Sequence, residues 1–154
     1  MTPKNEPVLV PLQPEHLDRI EALEQICFSV PWSRAALESE LRNPAARYIV
    51  CELNGVVVGY IGTLISADIC DITNVAVDPA CRRLHLATLM FNELLRQVPD
   101  WGITTLTLEV RESNGPAKAF YEKNGFVPVG RRKNYYEKPT EDAILMGRLL
   151  GDTL

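Results

Sequence analysis

Apolar residues recur along the chain in two patterns, one with helical spacing and one in continuous or alternating runs. The helical pattern predicts a first helix over residues 15–26, on a stripe formed by Leu17, Ile20, Leu23 and Ile26. The longest predicted helix covers residues 83–97, and its apolar stripe consists of Ala87, Met90, Phe91, Leu94, Leu95 and Val98. Runs rich in β-branched residues predict strands at residues 8–12, 47–53, 56–65, 69–77, 103–110, 126–131 and 143–149.

Turn and capping residues set the ends of these elements. Asn54-Gly55 joins two strand runs and predicts a two-residue hairpin, because both positions tolerate positive φ. Ser33 is a good N-cap for a second helix that ends near Asn43-Pro44. Asn114 is likewise a good N-cap for a short helix that ends at Asn124-Gly125. Hairpins make strands antiparallel, whereas helices between strands imply parallel crossovers. The predicted fold is therefore α/β (α+β), with a mixed, mostly antiparallel sheet of about seven strands and four helices in a single domain, residues 1–154.

Charge and hydropathy argue against several classes of partner. The 154 residues include 16 basic and 20 acidic side chains, and the net charge of −4 argues against nucleic acid, because phosphate backbones favour a cationic face. No run of about 18–20 apolar residues could span a membrane. The first residues lack the apolar core of a secretory signal. We expect a cytoplasmic protein without membrane contact.

The cysteines and histidines do not form a metal-binding pattern. Cys27, Cys51, Cys70 and Cys81 contain no C-x-x-C pair, and the two histidines lie far from metal-ligand spacing. We therefore expect no metal site. In a reducing compartment the cysteines should be small buried thiols rather than disulfides.

The segment from residue 75 to residue 88 has the features of an anion-binding turn. A strand closes at Val77, and Arg82 and Arg83 stand where the longest helix is predicted to begin. The first N–H groups of a helix have no partner within the helix and lie at the positive end of its dipole, so they bind anions, pyrophosphate in particular. The residues alone leave a second interpretation equally open, in which both arginines are solvated surface residues near an ordinary helix start.

Several segments together resemble the GNAT N-acetyltransferase superfamily, and the resemblance covers almost the whole chain. The turn after Val77 is similar to its acetyl-CoA-binding motif, and three further segments resemble the bacterial ribosomal-protein-alanine N-acetyltransferases. The segments that carry the resemblance are residues 77–87, 108–114 and 119–126 for the superfamily, and Pro31-Trp32-Ser33, residues 132–136 and Glu141-Asp142-Ala143 for the narrower group. The resemblance implies the acyl-CoA N-acyltransferase fold. It also implies transfer of acetyl from acetyl-CoA to the N-terminal α-amine of a ribosomal protein, with alanine first, by direct attack in a ternary complex.

The resemblance also implies where acetyl-CoA binds. In the family two parallel strands splay apart, and the pantetheine arm pairs with the exposed backbone as an added strand. The first glycine of the family's motif falls on His85 in this chain, which adds a Cβ and an imidazole. We expect this departure to be tolerated, since backbone N–H groups do most of the anion binding. The implied cofactor-binding residues are Val75, Ala76, Val77, Arg82, Arg83, Leu84, His85, Leu86, Ala87, Thr88 and Asn114.

Glu109 and Tyr121 are the candidate catalytic residues. Glu109 lies near the C-terminal end of an apolar strand, where ligands of α/β sheets bind. The resemblance implies that Glu109 is the general base, acting through water, and that Tyr121 donates a proton to the departing CoA sulfur. From the residues alone, Glu109 would be a solvated glutamate or a partner of Arg111, and Tyr121 would be a core tyrosine.

Two aromatic segments are the candidate acceptor site. In the family these segments flank the amine, and here they contain Phe28 and Trp32 in one predicted loop and Tyr135 and Tyr136 in another. The alternatives are a core plug for Trp32 and rim positions for the tyrosines, with residues 131–133 as a solvated basic turn. Two other functions stay open: a GNAT enzyme of small amines or lysine side chains, and a CoA-binding interaction protein whose site has decayed at His85.

Overall fold

The computed structural model describes residues 6–150, except for the side chain of residue 83, and these residues form one sheet with helices on both faces. The strands are β1 (Pro7–Val10), β2 (Ala46–Leu53), β3 (Val56–Ser66), β4 (Ile69–Val77), β5 (Thr105–Arg111), β6 (Val127–Tyr136) and β7 (Glu141–Leu149). The α-helices are α1 (Leu17–Cys27), α2 (Arg34–Arg42), α3 (Leu86–Gln97) and α4 (Gly115–Lys123), with short 3-10 helices at Pro14–His16, Pro79–Leu84 and Val98–Trp101. Within the described part of the chain, no helix has the length and apolar character needed to cross a membrane.

The sheet has the strand order β1-β2-β3-β4-β5-β7-β6. Neighbouring strands run antiparallel except β4 and β5, which are parallel because α3 crosses between them. Asn54 and Gly55 form the predicted hairpin turn, and both have positive φ. The predicted mixed sheet of seven strands with four helices is confirmed, and β4 has the predicted bounds.

Each face of the sheet has its own hydrophobic core. On the face covered by α3 and α4, Phe91 and Phe126 are buried with their ring centroids 5.6 Å apart. On the face covered by α1 and α2, Leu23 and Leu37 are buried in one cluster with Tyr60. The sheet is therefore the middle layer, and the strand ends between the two helical layers are where a site can form.

Several predicted boundaries differ from the structure, and two of these differences are the largest. The longest helix begins at Leu86 rather than at residue 83, because residues Pro79–Leu84 form a 3-10 helix and His85 then has a φ of 58°. A left-handed residue ends one helix and lets the next begin in a new direction. The sixth strand continues to Tyr136 rather than ending at residue 131, because its second half also pairs with β7.

The buried face of α1 also differs from the predicted stripe. Ile26 is 56% exposed, because each helical residue turns by about 100° and nine residues place Ile26 opposite Leu17. Glu24 is buried instead: the backbone N–H of Trp32 donates to its Oε1 at 2.8 Å, and the Tyr60 hydroxyl and the Asn74 amide donate to its Oε2. Burial, with the neighbouring Glu24 carboxylate, raises the pKa of Tyr60 and keeps its hydroxyl protonated as a donor. Glu24 thus joins α1 to the α1–α2 loop and to two strands.

We expect Glu24→Leu to lower the free energy of unfolding by at least about 3 kcal/mol, because a buried donor left without its acceptor costs about 1–3 kcal/mol and three donors share this carboxylate. Glu21→Leu, on the same helix with a side chain 40% exposed, is the matched control. Its change should stay below about 1 kcal/mol. Urea denaturation measures both variants, and equal losses would contradict the network.

Candidate active site

Strands β4 and β5 run side by side only over their first halves. Their four paired positions are Ile69 with Thr105, Cys70 with Leu106, Asp71 with Thr107, and Ile72 with Leu108. Beyond them β4 remains paired with β3, and β5 remains paired with β7 as far as Arg111. The diverging ends leave a gap toward which backbone N–H and C=O groups of both strands point. A parted parallel pair of this kind can accept an extended ligand as an added strand.

A bulge in β4 lies at the point where the strands part. Gly62 pairs with Asn74 but Thr63 pairs with Ile72, so Thr73 is the extra residue. The extra residue shifts the alternation of side chains and turns Asn74 toward the α1 face, where it reaches Glu24. Glycine is required at position 62, since a Cβ there would lie 2.7 Å from the Tyr48 ring.

The chain leaves β4 through the 3-10 helix and enters α3 at His85. His85 has φ 58° and ψ 32°, its side chain is exposed, and it makes no capping hydrogen bond. The N–H groups of Leu86, Ala87 and Thr88 open α3 and have no carbonyl partner within that helix. His85 therefore adopts the left-handed backbone that a glycine adopts at no steric cost.

Asp78 holds this turn in place. Its Oδ1 accepts the N–H of Ala80 at 3.0 Å, and its Oδ2 pairs with the guanidinium of Arg19 from α1. Nε of Arg19 also donates to the Val57 carbonyl at 3.0 Å. Arg82 and Leu84 are exposed, whereas the side chain of Arg83 lies outside the described part of the structure. Of the two arginines predicted to meet an anion, Arg82 alone can therefore be placed, and it is accessible.

Helix α4 follows β5, and Asn114 caps it while Tyr121 lies within it. Oδ1 of Asn114 accepts the N–H of Ala117 at 3.2 Å, so its predicted capping role is confirmed. The ring of Tyr121 packs edge-on against Phe120 and Phe126, with centroids 5.6 and 5.8 Å apart. Burial raises the pKa of Tyr121 to about 12, which keeps the phenol protonated. A core position and a proton-donating role are thus compatible for this residue.

Glu109 lies in β5, immediately beyond the last residue paired with β4. Its side chain is 19% exposed, and its Oε2 accepts a hydrogen bond from Nε of Arg132 at 2.5 Å. The partner considered from sequence, Arg111, is instead bound to Glu141, so that alternative is wrong. Tyr135 and Tyr136 approach Glu109 from β6. Burial, and secondly the Glu109 charge, raises the pKa of both tyrosines, that of Tyr136 to about 12.

A second carboxylate, Asp71, shares this face of the sheet. Its Oδ1 accepts a hydrogen bond from Oγ1 of Thr107 at 2.7 Å. Burial raises the pKa of Asp71, and the charge of Glu109 adds to this rise. Asp71 is not among the site residues predicted from sequence, although a charged residue inside an apolar strand was an available signal. Its nearness to Glu109 depends on the register between β4 and β5, which the sequence does not reveal.

Two segments form walls on the α1 face. The loop wall, residues 28–33, contains Phe28 and Trp32, both partly buried against the core, as the plug interpretation predicts for Trp32. The hairpin wall, residues 135–141, begins with Tyr135, which is 50% exposed, and Tyr136, whose ring centroid lies 5.1 Å away. These tyrosines lie at the end of strand β6, so their predicted loop is wrong.

The predicted basic turn at residues 131–133 is also wrong, because β6 continues through it. Arg131 bridges Glu112 and Asp142, and Arg132 is bound to Glu109. Hydrogen bonds raise the pKa of Arg131, and the bond with Glu112 has a larger effect than the bond with Asp142. Two of the three cations thus hold carboxylates around the site.

The sequence matches the acetyltransferase (GNAT) family over residues 17–126. A ribosomal protein bS18-alanine N-acetyltransferase of Haemophilus influenzae is 36% identical over 134 residues, which cover 84% of this chain and 89% of that protein. The protein of the same description from Escherichia coli K12 is 37% identical over 130 residues, 80% of this chain and 84% of its own length.

A solved structure gives the same picture at the level of the fold. The crystal structure of the ribosomal-protein-S18-alanine N-acetyltransferase from Escherichia coli superposes with a TM-score of 0.87 and 30% identity. The superposition covers 97% of this chain and 99% of that one. The likeness in fold therefore extends over nearly the whole of both chains.

We expect His85→Gly to raise the free energy of unfolding by about 1 kcal/mol, because a left-handed backbone strains residues with a Cβ by roughly 1–2 kcal/mol. Thr88→Gly in the first turn of α3 is the matched control and should lower stability by about 0.5–1 kcal/mol. Thermal and urea unfolding measure both. A loss of stability in His85→Gly would mean that the imidazole contributes more than the backbone strain costs.

Proposed function

The chain belongs to the acetyltransferase (GNAT) family, and from this membership we propose that it transfers the acetyl group of acetyl-CoA to the N-terminal α-amine of a ribosomal protein that begins with alanine. The observation that carries the proposal is the gap between β4 and β5 with Glu109 beside it. Relatives described as ribosomal protein bS18-alanine N-acetyltransferases support this choice of acceptor. An enzyme that modifies ribosomal proteins works in the cytoplasm, which is the location that we propose.

Acetyl-CoA fits the arrangement from end to end. The pantetheine arm would lie along the gap and pair with the backbone of Val75, Ala76 and Val77 as an added strand. The pyrophosphate would meet the N–H groups that open α3, with Arg82 beside them and the amide of Asn114 toward the arm. The left-handed backbone of His85 supports intact function rather than decay, because the turn keeps the geometry of a glycine at that position.

The amine attacks the thioester carbon once it is neutral. A free α-amine has a pKa of about 7.7–8.0, so a nearby carboxylate gives enough assistance near neutral pH. Arg132 occupies Oε2 of Glu109, and we assign proton acceptance to Oε1, directly or through one water. The N–C bond forms, the carbonyl oxygen becomes an oxyanion, and a backbone N–H at the gap stabilises it.

The C–S bond then breaks, and the thiolate of CoA needs a proton. Tyr121 is the proposed donor, because its raised pKa of about 12 keeps the phenol protonated at the near-neutral pH at which the amine loses its proton. Its ring is fixed between Phe120 and Phe126, which limits the hydroxyl to a narrow range of positions. The products are the acetylated amine and CoA.

The acceptor peptide would lie between the loop wall and the hairpin wall. Phe28 and Trp32 offer apolar faces on one side, and Tyr135 and Tyr136 offer rings and hydroxyls on the other. A chain end held in this way presents its amine to Glu109 while the following residues extend outward.

A peptide that begins with alanine, mixed with acetyl-CoA and the protein, should gain one acetyl group at its α-amine, as read by mass spectrometry. The same peptide with a blocked α-amine and one internal lysine is the control and should remain unmodified. Acetylation of that lysine, or of small amines without any peptide, would replace the proposed acceptor. Binding of acetyl-CoA with no turnover on any amine would contradict enzymatic function.

We expect Glu109→Gln and Tyr121→Phe each to lower kcat by about 100-fold or more, because each removes a proton-transfer group. The kcat/KM of the parent enzyme for the peptide should rise with pH as the free α-amine loses its proton near about 7.7–8.0. Ionisation of Tyr121 should not reduce it until the pH approaches the pKa of about 12. Tyr48→Phe, which removes a buried hydroxyl from the other core, is the control and should keep its activity. An unchanged kcat in either site variant would remove that residue from the chemistry.

A further inference from the structure

Arg111, the last residue of β5, contacts two separate segments of the chain, the loop wall and the hairpin wall. Its Nη2 donates to Oγ of Ser29 at 3.2 Å and to the Glu137 carbonyl at 2.7 Å. Its Nη1 donates to the Pro139 carbonyl at 2.9 Å and to Oε1 of Glu141 at 3.2 Å. One guanidinium therefore holds the loop wall and the hairpin wall together.

Tyr136 in the hairpin wall also contacts the Arg111 guanidinium. The Arg111 guanidinium carbon lies 4.5 Å from the ring centroid of Tyr136, so the cation sits over that ring. Only 23% of the Arg111 side chain is exposed, against 47% for Arg131, which binds two carboxylates but contacts neither Ser29 nor the turn at residues 137–139. Arg111 is thus an internal brace between segments, whereas Arg131 is a surface ion pair.

The contacts of Arg111 continue toward α4. Glu141, its carboxylate partner, also accepts the backbone N–H of Ser113 at 2.5 Å through its other oxygen. Ser113 directly precedes Asn114, which caps the helix that carries Tyr121. Arg111 itself lies on the same face of β5 as Glu109, two residues away.

We propose that Arg111 is a positioning residue for the acceptor, which sets the spacing between the loop wall and the hairpin wall and so determines how tightly the peptide end binds. The inference rests on the proposed function, since it assigns the two walls to a peptide. Arginine suits this position because its planar fork donates in several fixed directions and stacks on an aromatic ring. Lysine has a compact ammonium group that cannot reproduce this geometry.

Steady-state kinetics with an alanine-first peptide test the proposal. We expect Arg111→Met and Arg111→Lys to raise the peptide KM at least about tenfold while the KM for acetyl-CoA changes less than about threefold, because the guanidinium donates its hydrogen bonds to the two walls and to no residue proposed to bind acetyl-CoA. Arg131→Met is the matched control, and its peptide KM should stay within about twofold. Equal changes in both KM values, or a large effect in the control, would overturn the assignment.

Ser29→Ala provides a milder variant at an exposed residue, and it decides the question if the Arg111 variants fail to fold. Ser29→Ala should raise the peptide KM by about threefold. In the Arg111→Met background it should not change the peptide KM further, because the contact between the two residues is then already lost. Additive effects of the two substitutions, or no effect of Ser29→Ala on an otherwise active enzyme, would contradict a bracing contact between these residues.

Hydrogen exchange separates a failure of this inference from a failure of the proposed function, because it needs no substrate. In Arg111→Met, amides in residues 28–33 and 137–141 should both exchange faster than in the parent and in Arg131→Met. Unchanged exchange in both segments would overturn the bracing role even if the enzyme acetylates peptides. If exchange is faster in Arg111→Met but the parent protein acetylates no peptide, the bracing role stands and the proposed acceptor is wrong.

Discussion

The parting of β4 and β5 is the constraint on which the rest of the structure depends. Two parallel strands can separate at mid-length only if each keeps a partner on its other edge, because unpaired buried backbone groups are costly. β3 supports β4 through Val77, and β7 supports β5 through Arg111. The bulge at Thr73 bends β4 and shifts the alternation of its side chains between the two faces of the sheet. The gap is therefore a property of four strands together, β3, β4, β5 and β7, rather than of the two that border it.

Polar side chains anchor the surroundings of this gap, and each links segments that are distant in sequence. Glu24 connects α1 to the backbone of the loop wall and to the bulge in β4. Arg111 connects that same loop wall to the hairpin wall. Arg132 connects β6 to Glu109. Charged groups that are partly or fully buried persist only with such partners, and the geometry of those partners then fixes the loops between them.

Much of the fold could be predicted from the sequence, because local signals determine it. Ser33 and Asn114 cap the helices that they were expected to cap, and Asn54-Gly55 forms the hairpin turn. The partner of Glu109 could not be predicted, because Arg132 lies 23 residues away in a strand that the pattern ended too soon. The left-handed backbone at His85 could not be predicted from the histidine itself, and only the glycine of the family's motif at this position pointed to it. Local sequence patterns do not reveal which distant residues pair, or which residues have a positive φ.

Strand β6 forms an open edge of the sheet, and most of its residues are exposed. Edges of this kind attract strands from other molecules and are starting points for aggregation. Here residues 131–133 place three consecutive cations along the edge, and Asn134 with its positive φ interrupts the straight run of backbone. An incoming strand would meet like charges and a kink, so edge-to-edge polymerisation is opposed by the same stretch of chain that binds Glu109.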